Sequence, residues 1–422
     1  MNRAFFIILL ILLIVVPTTV SINDTSQVSP IQVLVEKTKN FFIKSLVDEP
    51  REIVISNEQK LLINQKLNSL QNDNELFFVK YEQANIQNQN KINTFLAFYN
   101  WEQFSRENGG VKGIYLNGYH FTNEEKMKKF DEILTNTSVN TVVLDVKTDN
   151  GHLLYDSKII EVDELKNERI KYNKTSLKEF KEKYNIYLIG RVVAFQDPIF
   201  SKKYIGASIV DLSTNLQYSQ NGQYFLDPSD LKSRNYILNI ALEACELGFD
   251  EIQFDYIRYP DTSYKNLKYD QESSFENRVN NINSFLSNAT IELHNNGCLS
   301  SADIFGYVLN SKTDNGIGQY LESIVDTVDF ISPMIYPSHY SSGSFGFDKP
   351  NNYPYEVITA SLTDGLNRGV ESRNLRPFLQ GFWHSSNGVR LNIKAAEDKG
   401  LHWIVWNNSS EYKLDYFTTI QS

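Results

Sequence analysis

The sequence predicts an α/β protein whose main domain is a (β/α)8 barrel of the TIM type, preceded by an N-terminal signal or anchor segment and a small Asn/Gln-rich accessory segment. From residue 111 onward, short apolar runs alternate with longer helix-like segments, which is the pattern of repeated βα units. Eight such runs occur over roughly 300 residues, and a TIM barrel needs eight strands and about 250 residues plus insertions. An open doubly wound sheet is the alternative fold, but no G-x-G-x-x-G motif follows the first run.

The predicted barrel domain covers residues 111–411, and a tail of residues 412–422 follows it. Its eight predicted strands are residues 113–117, 141–145, 187–193, 251–255, 299–303, 328–336, 377–383 and 402–406. Helical periodicity is clearest over residues 229–247, where apolar residues recur at helical spacing before Gly248. Glycine is a common helix stop, so this segment is predicted to be a crossover helix.

The N-terminal segment, residues 1–21, has the pattern of an export signal. Arg3 precedes the apolar run 4–16, which is shorter than a membrane span of about 20 residues and is typical of the apolar region of a signal peptide. Because no A-x-A cleavage site follows, an uncleaved membrane anchor is the alternative. We therefore expect a protein that is secreted or anchored to the outer face of the membrane.

Residues 22–110 form a predicted accessory or spacer segment that is poor in glycine and proline. Its densest Asn/Gln run is 85–90, and such tracts are usually solvated connectors. Within the segment, residues 75–81 are a candidate strand, and residues 91–99 are predicted to be an amphipathic piece that packs on the barrel.

Composition argues against several classes of partner. Lys and Arg total 41 against 51 Asp and Glu, so the formal charge of -10 would repel a nucleic acid. The six histidines show no HxH or HExxH spacing, so we expect no catalytic metal and no cofactor. Only Cys245 and Cys298 are present, and the sequence favours two buried, unpaired thiols.

Three predicted strands end on an aspartate, namely Asp145, Asp255 and Asp303. In a TIM barrel the C-terminal strand ends form the active site, so these carboxylates are expected at one mouth. A carboxylate directly after apolar strand residues is costly to desolvate unless it is paired or used. The structural alternatives are an ion pair between Asp255 and Arg258 at the barrel rim, and a helix-capping role for Asp303.

Five motifs extend this pattern across the predicted barrel. They are VKGIY (111–115), VLDVK (143–147), GFDEIQFDYIRYP (248–260), SADIFG (301–306) and ISPMIYPSHY (331–340). Together they resemble a family of glycoside hydrolases that is largely uncharacterised and to which a TIM-barrel fold is assigned. The sequence departs from the family pattern at Thr148, where a second acidic residue is expected, and at Gly381, where an aspartate is expected. The second departure argues against a catalytic role for strand seven.

The resemblance implies hydrolysis of a glycosidic bond, which requires a carboxylic acid and a second carboxylate that acts as nucleophile or base. We expect Asp255 to be the nucleophile or base and Asp303 the acid, with Asp145 as the reserve candidate. The expected substrate is a polysaccharide of the cell envelope or the extracellular medium. The alternative is a non-catalytic carbohydrate-binding or cell-wall-binding protein, in which aromatic residues matter and the acids do not.

The remaining candidate site residues are predicted to bind the substrate. Lys147 and Arg258 are expected to keep a nearby carboxylate ionised. Three aromatic residues are expected to stack on sugar rings: Tyr336, Trp383 and Trp406. His339 and Asn407 are expected to form hydrogen bonds with sugar hydroxyls.

Overall fold

The structure, a computed structural model, describes residues 74–262 and 265–418. The predicted signal or anchor segment, residues 1–21, lies outside the described residues, as does the accessory segment up to residue 73. Over the described ranges, no helix combines the length and the apolar character that a membrane span requires.

Eight parallel strands close into a barrel, in chain order around the ring. They are β1 (Lys112–Leu116), β2 (Thr141–Lys147), β3 (Tyr187–Val193), β4 (Glu251–Asp255), β5 (Leu299–Phe305), β6 (Phe330–Ile335), β7 (Phe378–Gln380) and β8 (Trp403–Trp406). Strand β1 pairs with both β2 and β8, which leaves the sheet without an edge. The predicted (β/α)8 barrel is therefore confirmed, and the open sheet is excluded.

Seven longer helices accompany the described strands. They are α1 (Asn74–Glu107), α2 (Glu124–Asn136), α3 (Lys174–Tyr184), α4 (Leu231–Leu247), α5 (Phe275–Asn295), α6 (Pro354–Asn367) and α7 (Ser386–Glu397), with shorter helices at Ile160–Leu165, Pro198–Lys203 and Leu321–Ile324. Helix α4 confirms the helix predicted over residues 229–247. Asp230 caps its start by accepting a hydrogen bond from the Ser233 N–H, and Gly248 ends it with a left-handed φ of 108°.

Helix α1 replaces the strand that the sequence predicted at residues 75–81, so that prediction was wrong. A short apolar run does not by itself distinguish a strand from a helix, and here it opens a helix of 34 residues without glycine or proline.

The C-terminal part of α1 covers the N-terminal mouth of the barrel. Trp101 packs against Phe330, the first residue of β6, with ring centroids 4.9 Å apart. Ala97 is buried against the same residue, as expected for residues 91–99. The Asn93 side-chain amide donates to the Asn295 carbonyl at 2.6 Å. Within the described ranges, this end of the barrel is therefore closed by α1, and the opposite mouth is open to a ligand.

Cys245, in α4, is disulfide-bonded to Cys298, directly before β5, with Cα atoms 6.0 Å apart. The expectation of two unpaired thiols was wrong. Helices α4 and α5 are neighbours that lead into the adjacent strands β4 and β5, so the ends of both helices meet at one end of the barrel. A sequence separation of 53 residues does not reveal this proximity.

Polar side chains occupy much of the barrel interior. At the N-terminal end, Arg376 forms a buried ion pair with Glu251, the first residue of β4. One layer higher, the Gln253 amide donates to the Ser332 hydroxyl at 3.0 Å. Because alternate residues of a strand face the same side, the next inward residue of β4 is Asp255, at the C-terminal mouth.

Candidate active site

The C-terminal mouth of the barrel opens into a cavity of 860 Å³. Asp145, Asp255 and Asp303 all line it, so the structure brings together the three aspartates that the sequence selected. They lie on β2, β4 and β5.

Arg191, on β3, connects two of these aspartates. Its Nε and Nη2 donate to Asp255 Oδ2 at 2.9 and 2.6 Å, and its Nη1 donates to Asp145 Oδ1 at 2.7 Å. All three side chains are almost completely buried. Charge-assisted hydrogen bonds of this kind are among the strongest in proteins, and the guanidinium offsets the cost of burying the carboxylates.

Asp145 is held from several sides. Its Oδ2 accepts hydrogen bonds from the Tyr115 hydroxyl at 2.6 Å and from the Gly118 N–H at 3.2 Å. Its backbone carbonyl accepts from the Tyr172 hydroxyl at 2.6 Å. With Arg191 on the other oxygen, both carboxylate oxygens of Asp145 accept hydrogen bonds from the surrounding residues.

Asp255 also has both oxygens engaged. Besides the Arg191 contacts to Oδ2, its Oδ1 accepts from the Tyr256 N–H at 2.7 Å. Tyr256 has a φ of 50°, which is uncommon for a non-glycine residue. The alternative of a rim ion pair between Asp255 and Arg258 does not hold. The Arg258 guanidinium lies over the Phe305 ring, 4.6 Å from its centroid, and donates to the Tyr259 carbonyl.

Asp303 has a different environment. It is 1% exposed, and its Oδ1 has no hydrogen-bond partner among the described residues. Burial, reinforced by the nearby charge of Asp255, raises the pKa of the Asp303 carboxyl well above its ordinary value. The helix-capping alternative does not hold, because Asp303 lies inside β5 and the short helix that follows, Gly306–Leu309, has no side-chain cap.

Aromatic and imidazole rings line the same cavity. Trp406 stacks on Tyr115 with ring centroids 3.9 Å apart, and the Arg191 guanidinium lies 5.0 Å from the Trp406 ring. Tyr336 and His339 meet edge to face at 5.3 Å. Burial lowers the pKa of His339, so its imidazole is neutral at neutral pH and can both donate and accept a hydrogen bond.

Lys147 does not line this cavity. It is completely buried, and its ammonium pairs with Asp197 at 2.9 Å and donates to the Val193 carbonyl at 2.8 Å. The pairing register of β2 with β3 shifts between Asp145 and Lys147, and such a bulge changes the direction of the side chain that follows. The carboxylate that Lys147 neutralises is therefore Asp197, not one of the three cavity aspartates.

Trp383 and Asn407 lie beside the cavity rather than in it. Strand β7 ends at Gln380, so Trp383 falls in the following loop, where it is 79% exposed. The Asn407 amide donates to the carbonyls of Gly381 and Glu411, both at 2.9 Å, and so holds its own loop in place.

Arg191 is the site residue that the sequence analysis missed. The available signal is that Arg191 is the one charged residue in the otherwise uncharged β3 sequence YLIGRVV. Two positions after Ile189, which belongs to the interior cluster, it shares the inward face of the strand.

The closed barrel with carboxylates at its C-terminal mouth is the architecture of a TIM barrel with a candidate active site, and comparison with known families gives its class, a glycoside hydrolase. A family model described as "Putative glycosyl hydrolase domain" matches residues 113–412, and the chain belongs to that family. No curated protein matches the chain.

Two solved structures are similar to this chain, and the second of them supports the fold. A hypothetical protein from Ruminiclostridium thermocellum ATCC 27405 is 34% identical over 45% of this chain and 96% of its own, with a TM-score of 0.40. The glycoside hydrolase domain of PgaB (BpsB) from Bordetella bronchiseptica is 10% identical over 71% of this chain and 94% of its own, with a TM-score of 0.55. At that identity the likeness to the Bordetella domain concerns the fold alone.

Proposed function

We propose that this barrel hydrolyses a glycosidic bond in a polysaccharide of the cell envelope or the extracellular medium. Asp303 is the general acid, and Asp255 is the nucleophile or base. The observation that carries the proposal is the contrast between the two carboxyl groups, which lie at one mouth in opposite environments. Asp303 is buried with an unpartnered oxygen and a raised pKa, whereas Asp255 is ion-paired with Arg191. Environments that separate two carboxyl groups in this way are the usual basis for assigning acid and base roles.

In the proposed reaction the protonated Asp303 donates its proton to the glycosidic oxygen as the bond to the sugar breaks. Asp255 either activates a water molecule that attacks the sugar carbon, or attacks that carbon itself; in the second case water then hydrolyses the glycosyl-enzyme intermediate, with Asp303 taking the proton of the water. Carboxyl groups about 5–5.5 Å apart give retention of the anomeric configuration, and groups about 6.5–9.5 Å apart give inversion. Determining the anomer of the first product by proton NMR therefore decides between nucleophile and base for Asp255.

The other cavity residues orient these two groups and the sugar. Arg191 fixes the direction of the Asp255 carboxylate, and Asp145 in turn fixes Arg191. Trp406 and Tyr336 offer flat aromatic surfaces to the apolar faces of a sugar ring. His339 and Arg258 also line the cavity and supply hydrogen bonds to hydroxyls. Trp383 would stack on a sugar outside the cavity.

Secretion, or anchoring to the outer face of the membrane through the apolar run 4–16, is the proposed location. The disulfide between Cys245 and Cys298 supports export, because disulfides persist in oxidising compartments and are rare in a reducing cytosol.

The test is hydrolysis of a panel of glucans, xylan, chitin and peptidoglycan by the purified protein and by Asp255→Asn and Asp303→Asn. Each substitution should lower turnover by orders of magnitude and leave glycan binding intact, and Asp255→Asn should also lower stability because it removes one partner of the buried ion pair with Arg191. Asp314→Asn is the matched control, because Asp314 is equally buried and ion-paired, with Arg278, but lies outside the cavity.

Full activity of Asp255→Asn would contradict the assignment and favour Asp145 acting with Asp303. If no variant or wild-type protein hydrolyses any glycan, and Tyr336→Ala abolishes glycan binding, the non-catalytic binding protein is the correct account.

A further inference from the structure

Trp383 is an energetically costly residue for this fold. Its side chain is 79% exposed, the highest fraction among the large hydrophobic residues described, and its φ of 52° lies in the left-handed region. Left-handed φ values are unfavourable for a bulky side chain, and an exposed indole contributes little apolar burial in return. The packing of the described residues therefore does not account for a tryptophan at this position.

A second cavity, of 490 Å³, has Trp383 in its lining. The end of β8 and the loop that follows it separate the two cavities: Trp406 and Asn408 line the catalytic cavity, whereas Asn407 and Ser409 line the second one. The two cavities thus share one wall.

Aromatic rings connect the catalytic cavity to Trp383 across this wall. Tyr336 lines the catalytic cavity and meets Phe382 edge to face at 5.3 Å, and Phe382 meets Trp383 at 5.2 Å. His339, also in the catalytic cavity, lies 6.5 Å from Trp383. Trp383 is therefore one ring away from the lining of the catalytic cavity and, at the same time, part of the second cavity.

The second cavity has the mixed lining that a sugar chain requires. Phe382 and Trp383 provide apolar ring surface, and Ser409, Lys129 and Lys413 provide polar groups. Carbohydrates present apolar C–H faces edged by hydroxyls, so a flat aromatic surface next to hydroxyl and ammonium groups suits them.

We infer that Trp383 and the second cavity form an accessory subsite for the same glycan whose bond is cleaved between Asp255 and Asp303, so that the substrate is a polymer bound along its length and cut internally. The inference rests on the proposed function. One segment of the glycan occupies the catalytic cavity. The neighbouring segment of the glycan crosses Phe382 and stacks on Trp383.

The kinetic test compares short and long oligosaccharides prepared from the polysaccharide that the wild-type protein hydrolyses. Trp383→Ala should raise KM for long oligosaccharides about tenfold, the effect of losing one aromatic stacking contact. The value of kcat, and all constants for short oligosaccharides, should stay as in the wild type. Trp383→Phe should retain part of the effect. Phe98→Ala, which removes an aromatic side chain from α1 at the closed end of the barrel, is the matched control and should change neither substrate's constants.

A binding test is independent of turnover. In Asp303→Asn, binding of xylan, chitin and glucan fragments is measured with and without the additional Trp383→Ala change. Weaker binding of long fragments alone supports the subsite even if no hydrolysis is found. The inference would be overturned if Trp383→Ala weakened the binding of short and long fragments equally, or weakened neither.

Thermal unfolding separates these effects from misfolding. Trp383→Gly should unfold at a temperature no lower than the wild type, because glycine suits a positive φ and little packing is lost. A large drop would mean that the ring has a structural role and would also overturn the inference.

Discussion

Replacing Arg191 with glutamine should destabilise the protein far more than the loss of an ordinary surface charge. The guanidinium donates three hydrogen bonds to Asp145 and Asp255, and its side chain is only 6% exposed. Removing one partner of a buried ion pair leaves charge uncompensated in a poorly solvated site, which costs about 3–5 kcal/mol. We therefore expect the free energy of unfolding of Arg191→Gln to fall by about that amount at neutral pH.

The assay is urea unfolding followed by circular dichroism, at neutral pH and at about pH 4, where free aspartates begin to bind protons. The deficit of Arg191→Gln should shrink at the lower pH, because protonation removes the uncompensated charges. Arg373→Gln is the exposed control: Arg373 pairs with Glu371 at 2.8 Å, but both side chains are mostly exposed, so the loss should stay at about 0–1 kcal/mol. A loss for Arg191→Gln no larger than this would refute the reasoning.

A second control separates the loss of protein stability from the loss of the orientation that Arg191 gives to Asp255. Arg278→Gln breaks the largely buried ion pair with Asp314, outside the catalytic cavity, and should also cost stability. Its pH–rate profile should match that of the wild type, whereas the profile of Arg191→Gln should shift because Asp255 loses its fixed orientation and its partner charge. Identical profiles for the two variants would remove Arg191 from the catalytic account.

Three further predictions address the disulfide, the acid and the N-terminus. The double variant Cys245→Ala/Cys298→Ala should lose about 4 kcal/mol of unfolding free energy, because the bridge closes a loop of 53 residues, and wild-type protein should show no reactive thiol before reduction. The free energy of unfolding of the wild type should fall as the pH rises from the ordinary carboxyl pKa through the raised pKa of Asp303, because the folded state holds the Asp303 proton more tightly than the unfolded state does. Urea titrations at a series of pH values should show no such fall for Asp303→Asn. Deleting residues 1–21 should retain the protein in the cytoplasm on cell fractionation, and unchanged export would contradict the proposed signal.

The barrel and its three aspartates were predictable because both follow from local pattern. Apolar runs set the strands, and a strand that ends on aspartate directs attention to the C-terminal mouth. Lys147 was expected beside a cavity carboxylate because it stands two residues after Asp145, and side chains two apart in a strand share a face unless the pairing shifts, as it does in β2. No local signal could show that shift, because it is set by the neighbouring strand.

Contacts between segments that are distant in the sequence could likewise not be predicted from the sequence. Arg191 stands out in its strand, but its two carboxylate partners come from β2 and β4. The bridge between Cys245 and Cys298 depends on how two helices end beside each other in the folded barrel. Such contacts arise from the closed topology, which fixes which strands and helices are neighbours, and not from the spacing of residues along the chain.

The central claim is that Asp303 donates the proton and Asp255 does not. Its most direct measurement compares hydrolysis of an unactivated glycoside with that of an aryl glycoside whose leaving group needs no protonation. Asp303→Asn should lose most activity on the first substrate, keep much of the rate of aryl release in the first turnover of the second, and lose the decline of activity at high pH that deprotonation of Asp303 causes in wild type. Asp255→Asn should lose activity on both. Recovery of Asp255→Asn, rather than Asp303→Asn, on the activated substrate would contradict the assignment.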